Sequence, residues 1–260
     1  MKEFKENLKI IFRNKARNSL SFIDKYIQLN PDLSEYLYEK VTIKNPHFFN
    51  YIDSEKKAYW SGFLCADVKI TGKKYAYMIR LELATSDRER LIRFAGAIGF
   101  DVERIKDRKR WYYDNNGDLK LKKSSYIQFK SKSMVQDLLK NGLSTSASNR
   151  GLPNFVWNPN NSNLALAFLL GFYDGDGSWL GGSSAEIYSS NKEILIQIKR
   201  AFQIEYPIRT TKKAVIDKLT GKIIHRAAHC LTLGADLYER MMKSYAYSME
   251  RKRAPQFRGI

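Results

Sequence analysis

Asp67 and Asp176 are the side chains in this sequence best placed to do chemistry, because each ends the same apolar pattern. The first copy reads Trp60-Ser-Gly-Phe-Leu-Cys-Ala-Asp67-Val68, and the second reads Leu169-Leu-Gly-Phe-Tyr-Asp-Gly-Asp176-Gly177. Aligned without gaps, Gly62 matches Gly171, Phe63 matches Phe172, Ala66 matches Gly175 and Asp67 matches Asp176, 109 residues apart (176 − 67). Within each copy the small residues stand four apart, so they share one helix face. Helix backbones approach closely only where side chains are small. Two such helices can therefore pack small face to small face and bring their terminal aspartates together. Adjacent carboxylates repel unless a cation lies between them. Oxygen donors of this kind suit a hard divalent ion, magnesium before zinc. A single copy would be ordinary helix and turn chemistry. Two aligned copies, each opening a similar stretch of chain, point to one shared site.

The elements that must position these carboxylates also repeat. In the first half, Asp53 or Ser54 can cap a helix running to Ala66, and Tyr75 to Leu83 alternates like a strand. Ser86-Asp87 caps a second helix, strand-like segments lie at Asp101–Ile105, Trp111–Tyr113 and Ser125–Phe129, and Ser133 opens a helix ending at Asn141-Gly142. The second half predicts a motif helix over Asn163–Tyr173, a strand over Ala185–Ser189 and a helix capped by Ser190-Asn191. A hairpin spanning Ile208–Leu233 and a closing helix over Ala235–Met242 complete it. Each half thus reads α-β-β-α-β-β-α. Residues 1–50 form a helical extension, 51–143 the first repeat, 144–162 a Ser/Asn/Pro-rich linker, and 163–260 the second repeat with a basic tail. Arg251-Lys-Arg253 in that tail reads as a flexible electrostatic tether.

Composition sets the partner class. The 260 residues carry a net charge of +18, which draws polyanions, nucleic acid first among them. An apolar content of 43% is that of a globular chain, and no apolar run is long enough to span a bilayer. Two cysteines, Cys65 and Cys230, make neither a disulfide framework nor a zinc site, and a buried free thiol is expected at Cys65. An intracellular location follows from that cysteine usage.

The second motif copy resembles the LAGLIDADG motif of homing endonucleases nearly letter for letter. The first is a looser version, with Cys65 where the second has Asp174 and Val68 where a glycine is usual. The resemblance covers residues 54 to 245, and the repeat is similar to the single-chain, two-repeat branch of that family. It implies an α+β protein of two pseudo-symmetric αββαββα subdomains, whose antiparallel sheets form a saddle over double-stranded DNA. It also implies that Asp67 and Asp176 hold Mg2+ at the scissile phosphates, with Mn2+ or Ca2+ able to take the same sites. A monomeric, intron-encoded endonuclease cutting a long asymmetric target is the expectation. Lys130, at the end of a strand, resembles the basic helper residue of the family; the second half lacks a counterpart unless Lys212 or Lys213 substitutes. Rival readings on the same fold are a splicing maturase binding intron RNA and a non-catalytic DNA-binding regulator. A chain beginning Met-Lys without a C-terminal His-Asn disfavours an intein.

Sheet residues facing DNA should be polar or basic at period two. Arg80, Glu82, Arg104, Lys106, Arg108, Arg110, Gln128, Arg209, Thr211, Lys213 and Arg226 are the candidates, with Arg104 to Arg110 read as one strand face.

Overall fold

The computed structural model divides the chain into two compact units, Met1–Thr42 and Ile43–Ile260. It describes residues 43–72, 77–114, 118–158, 160, 162–181, 184–216, 223–245 and 248–258, with the side chains at 213–216 and 223–226 outside the description. The helices expected in residues 1–42 and the turn at Asn115-Asn116-Gly117 therefore lie outside the described residues, as do Tyr75 and its neighbours at 73–76.

The second unit contains two copies of one arrangement. The first runs α1 (Glu55–Asp67), β1 (Lys69–Thr71), β2 (Met78–Ala84), α2 (Arg88–Ile98), β3 (Lys106–Tyr113), β4 (Leu119–Lys130) and α3 (Lys132–Lys140). The other runs α4 (Ser162–Asp176), β5 (Gly177–Gly181), β6 (Ser184–Ser189), α5 (Lys192–Ala201), β7 (Arg209–Ile216), β8 (Ile223–Leu233) and α6 (Ala235–Lys243). Each makes a four-stranded antiparallel sheet, ordered β1-β2-β4-β3 and β5-β6-β8-β7. The expected αββαββα order holds in both halves.

Pleat parity explains why each sheet has two unlike faces. Ile79, Leu81, Ile127 and Phe129 point to the helices of their half and are buried, as are Ala185, Ile187, Leu231 and Leu233 in the other. The opposite faces are open. Helix faces follow the same logic: Leu91, Phe94, Ala95 and Ile98 of α2, and Leu237, Tyr238, Met241 and Met242 of α6, form the buried stripes of amphipathic helices.

Local end signals decide several boundaries. Ser131, not Ser133, caps α3, its Oγ accepting from the Met134 amide at 3.2 Å. Asn191 caps α5 by accepting from the Glu193 amide at 3.1 Å. The strand expected at Asp101–Ile105 is instead a 3-10 turn over Val102–Arg104, because the Asp101 carboxylate captures the Glu103 amide at 3.0 Å. Asp87 stands at the N-cap of α2 without capping it, since both its oxygens accept from Arg251 at 2.7 Å.

Candidate active site

The two motif helices, α1 and α4, form the centre of the second unit. Their contact is backbone to backbone. A Cβ on Gly62 would collide with the Phe168 carbonyl, one on Gly171 with the Tyr59 carbonyl, and one on Gly175 with Ala66. The pairing expected from Gly62/Ala66 and Gly171/Gly175 is therefore present. Tyr59, Trp60, Phe63, Phe168, Phe172 and Tyr173, all at most 2% exposed, fill the flanks of the crossing.

That crossing brings the C-termini of α1 and α4 side by side, and with them Asp67 and Asp176. A Cβ on Gly175 would lie 3.5 Å from Asp67 Oδ2, which locates one carboxylate at the helix turn that ends in the other. Burial, and then the charge of Asp67, push the Asp176 carboxyl up to about 7. Burial also raises Asp67, while Lys252 and Arg150 pull it back down. The pair is thus a partly buried, self-repelling dicarboxylate flanked by two cations.

Neither cation was among the candidate site residues read from sequence, Lys252 being read only as part of the basic tail. Lys252 Nζ donates to the carbonyls of Tyr173, Asp174 and Gly175 at 3.3, 2.6 and 2.9 Å. Its three protons thereby satisfy three of the unpaired carbonyls at the end of α4. Arg150 does the same for α1: Nη1 donates to the Cys65 and Ala66 carbonyls at 2.7 and 3.3 Å, and Nη2 donates to Val68. Each positive charge also opposes the negative end of a helix dipole. Both side chains are buried, and both sense the charges of Asp67 and Asp176.

The 251–253 segment is accordingly no loose tether. Lys252 and Arg253 are buried, Arg253 donates to Ser248 Oγ at 2.6 Å, and the Tyr173 and Tyr238 hydroxyls donate to the Lys252 carbonyl. Nor is the stretch from 144 to 162 a free linker: it delivers Arg150 and is tied down by Asn191 and Gln197. A sequence signal for both was present. Arg150-x-x-Pro153 matches Lys252-x-x-Pro255 at an offset of 102 (252 − 150), with Ser146 on Ser248 and Phe155 on Phe257. The backbone repeats too: Arg150 N to Ala147 O corresponds to Lys252 N to Met249 O, and Val156 N to Pro153 O corresponds to Arg258 N to Pro255 O.

Where the two motifs differ, the structure gives different jobs. Asp174 is fully buried and accepts from Tyr59 Oη and from the Met249 amide, both at 2.6 Å. Its counterpart Cys65 is a buried free thiol pushed up to about 12 by burial, so it is an inert packing group. Val68 is buried in extended conformation and carries the carbonyl that Arg150 takes.

Lys130 lies exposed at the end of β4, paired with Met78. Lys252, then Arg150 and Lys122, are cations whose charge lowers Asp67. Strand register places Arg80, Glu82, Lys106, Arg108, Arg110 and Gln128 on the open face of the first sheet. It places Arg209, Thr211, Lys213 and Arg226 on that of the second, the side chains of Lys213 and Arg226 lying outside the description. Lys212 has the opposite parity, toward the helix side. Arg104 is the exception among the eleven strand candidates: it sits in the 3-10 turn, its guanidinium 5.7 Å from the Phe100 ring centre.

Among the described residues no cluster of three or more His, Cys, Asp or Glu could hold a metal by itself, and no helix is long and apolar enough to cross a membrane. Asp67 and Asp176 nevertheless fit a hard divalent cation: both offer oxygen, and a cation between them would relieve the repulsion that raises Asp176.

Comparison with known proteins agrees with this geometry. Residues 163–242 match the model of the LAGLIDADG-like domain. No curated protein sequence matches the chain. Among solved structures, the homing endonuclease I-WcaI bound to its DNA recognition sequence is similar at a TM-score of 0.52 and 12% identity, over 82% of this chain and 88% of that one. Full-length DUF199/WhiA from Thermatoga maritima follows at a TM-score of 0.42 and 10% identity, over 80% and 63%. Residues 163–242 thus resemble a LAGLIDADG-like domain, and the described body shares its fold with that solved homing endonuclease.

Proposed function

We propose that this protein is an endonuclease that hydrolyses both strands of duplex DNA at a long asymmetric site, using divalent metal held by Asp67 and Asp176. The observation that carries the reading is the convergence of these two carboxylates at the end of the α1–α4 crossing, where their mutual repulsion calls for a cation. The solved homing endonuclease of like fold is itself bound to DNA. A magnesium ion at this pair would activate water and stabilise the leaving oxygen.

The chain's own residues supply the rest. Asp67 and Asp176 offer oxygen ligands from two helices packed backbone to backbone, so the pair is preorganised. Lys252 and Arg150 hold positive charge beside the place a phosphate would occupy, and both are locked by carbonyl acceptors. They take the helper role that Lys130 was expected to play. The open sheet faces present arginine and lysine at period two for phosphate and groove contacts.

The test is cleavage of duplex DNA spanning the gene's own insertion junction, with magnesium, by the wild type and by Asp67→Asn and Asp176→Asn. Each variant should lose cutting by at least about a hundredfold while binding the duplex as the wild type does. Cutting by either variant at the wild-type rate would show that the site is elsewhere. Binding without any cutting by the wild type would favour the regulator.

A further inference from the structure

The two copies differ in one groove, which lies between the end of the second helix and the last helix of each. The backbone establishes that the two grooves correspond. Gly99 after α2 and Gln203 after α5 both have positive φ, 68° and 52°. The next amide then reaches back five residues in each copy, Phe100 N to Ala95 O at 2.8 Å and Ile204 N to Lys199 O at 2.9 Å. Residues here match at an offset of 104 (203 − 99). Ser131 and Gly234, at the N-caps of α3 and α6, match at 103 (234 − 131), which sets Arg240 where the first copy has Asp137.

In the first copy residues 43–49 cover the groove. Ile43 bridges antiparallel to Phe100, and the amides of Lys44 and Asn45 donate to the Gly99 and Ile98 carbonyls, both at 3.0 Å. Asn45 Nδ2 donates to the Ala97 carbonyl at 3.3 Å. These are carbonyls that a helix leaves unpaired at its C-terminus. His47 Nδ1 lies 3.1 Å from Asp137 Oδ2, and Ile43 and Phe49 are buried. In the second copy the same place is an open cleft of about 470 Å3, lined by buried Ile204 and Leu237 and by exposed Tyr206 and Arg240. Among the described residues nothing donates to the Ala201, Phe202 and Gln203 carbonyls. The cleft is nevertheless preformed, because Lys199 Nζ donates to the next three carbonyls, those of Ile204, Glu205 and Tyr206, at 2.6, 2.8 and 2.7 Å.

We propose that this cleft docks an extended segment of a partner protein, held through its backbone as residues 43–49 are held in the first copy. Two substitutions in the cleft define the segment. A Cβ on Gly99 would lie 2.6 Å from Lys44 Cβ, and Gln203 carries such a Cβ, so glycine belongs where Lys44 stands. Arg240 in place of Asp137 calls for an acidic residue where His47 stands. The pattern is aliphatic-Gly-Asn-x-Asp/Glu. The chain itself contains no aliphatic-Gly-Asn run, so the occupant is not a segment of a second copy. Nor is it nucleic acid: helix-end carbonyls, with Glu205 and Asp236 beside them, repel phosphate.

The probe is a fluorescein-labelled, end-blocked peptide, Ile-Gly-Asn-Pro-Glu-Phe-Phe, whose other positions keep the residues of 43–49. Anisotropy with the full-length protein should give a dissociation constant below about 1 mM. N-methylating the Gly and Asn nitrogens removes both backbone donors and should weaken binding at least about tenfold. Lysine at the second position should weaken it as much by crowding Gln203, and Gln203→Gly should restore that probe to within about twofold of the glycine one. Lysine for glutamate should weaken binding about fivefold, and Arg240→Asp should reverse the preference. Failure to bind at 1 mM, indifference to N-methylation, or unchanged discrimination in both variants would overturn the proposal. Self-association of the protein that the peptide abolishes would assign the cleft to a second copy and overturn it too. Duplex binding and cleavage enter none of these measurements, so the proposal stands or falls apart from the endonuclease reading.

Discussion

Replacing Asp176 with asparagine should stabilise the metal-free protein, and by an amount that depends on pH. Asp176 rises from the ordinary 3.8 to about 7 because burial and Asp67 disfavour its charge. A carboxylate whose folded value is raised leaves the protein at full stability below about pH 4. Stability then falls as pH climbs through the folded value near 7 and levels off above it. The span of about three pH units corresponds to an upper bound of about 4 kcal/mol at about 1.4 kcal/mol each. Asp176 is only partly buried, so water and local relaxation screen it, which leaves about 2 kcal/mol. Urea unfolding in EDTA at pH 4.5, 6 and 8 should show Asp176→Asn close to the wild type at the lowest pH and about 2 kcal/mol more stable at the highest. Magnesium should then stabilise the wild type at pH 8 more than the variant. A variant no more stable than the wild type at pH 8, or a gain independent of pH, would refute the picture of a self-repelling dicarboxylate.

Other perturbations test the frame around that pair. Gly171→Ala forces a Cβ into the Tyr59 carbonyl and should cost at least about 3 kcal/mol or prevent folding, whereas Gly96→Ala, with open space, should gain about 0.5–1 kcal/mol; thermal denaturation compares them. Lys252→Met strips three carbonyls of their donor and should lower stability by about 2–4 kcal/mol, whereas Lys130→Ala should leave unfolding unchanged. Arg251→Ala removes the bidentate contact to buried Asp87 and should cost about 1–3 kcal/mol, read by the same denaturant titration.

Residues whose role follows from periodicity could be read from the chain alone. The four-residue spacing of Gly62/Ala66 and Gly171/Gly175 determines a helix face, and the face determines where Asp67 and Asp176 meet. Strand parity did the same for Arg80, Arg108 and Thr211, because a period of two leaves no third option. Single side-chain captures could not be read this way. Val102 to Ile105 has the alternation of a strand, yet one Asp101 carboxylate bends it into a turn. Asp87 looks like a helix cap until Arg251, 164 residues away, occupies it. Lys252 and Arg150 sit in segments rich in polar and basic residues, where nothing in composition separates a buried cation from a solvated one. Only the repeated Arg/Lys-x-x-Pro spacing did so, and that shows once the two segments are laid side by side.

The matched straps carrying Arg150 and Lys252 also say where this molecule could come apart. Each strap closes the motif helix of its own copy: Arg150 takes carbonyls of residues 65, 66 and 68, and Lys252 those of 173 to 175. A chain break after Trp157 would therefore leave two fragments that each contain a helix, a sheet and the cation that finishes the helix. They would lack each other's small-residue face and the contacts that cross between the copies, Tyr59 to Asp174, Arg251 to Asp87, and Asn191 and Gln197 to the Arg150 strap. The two copies are arranged as subunits that share one peptide thread, and co-expressed halves should rebuild the dicarboxylate without it.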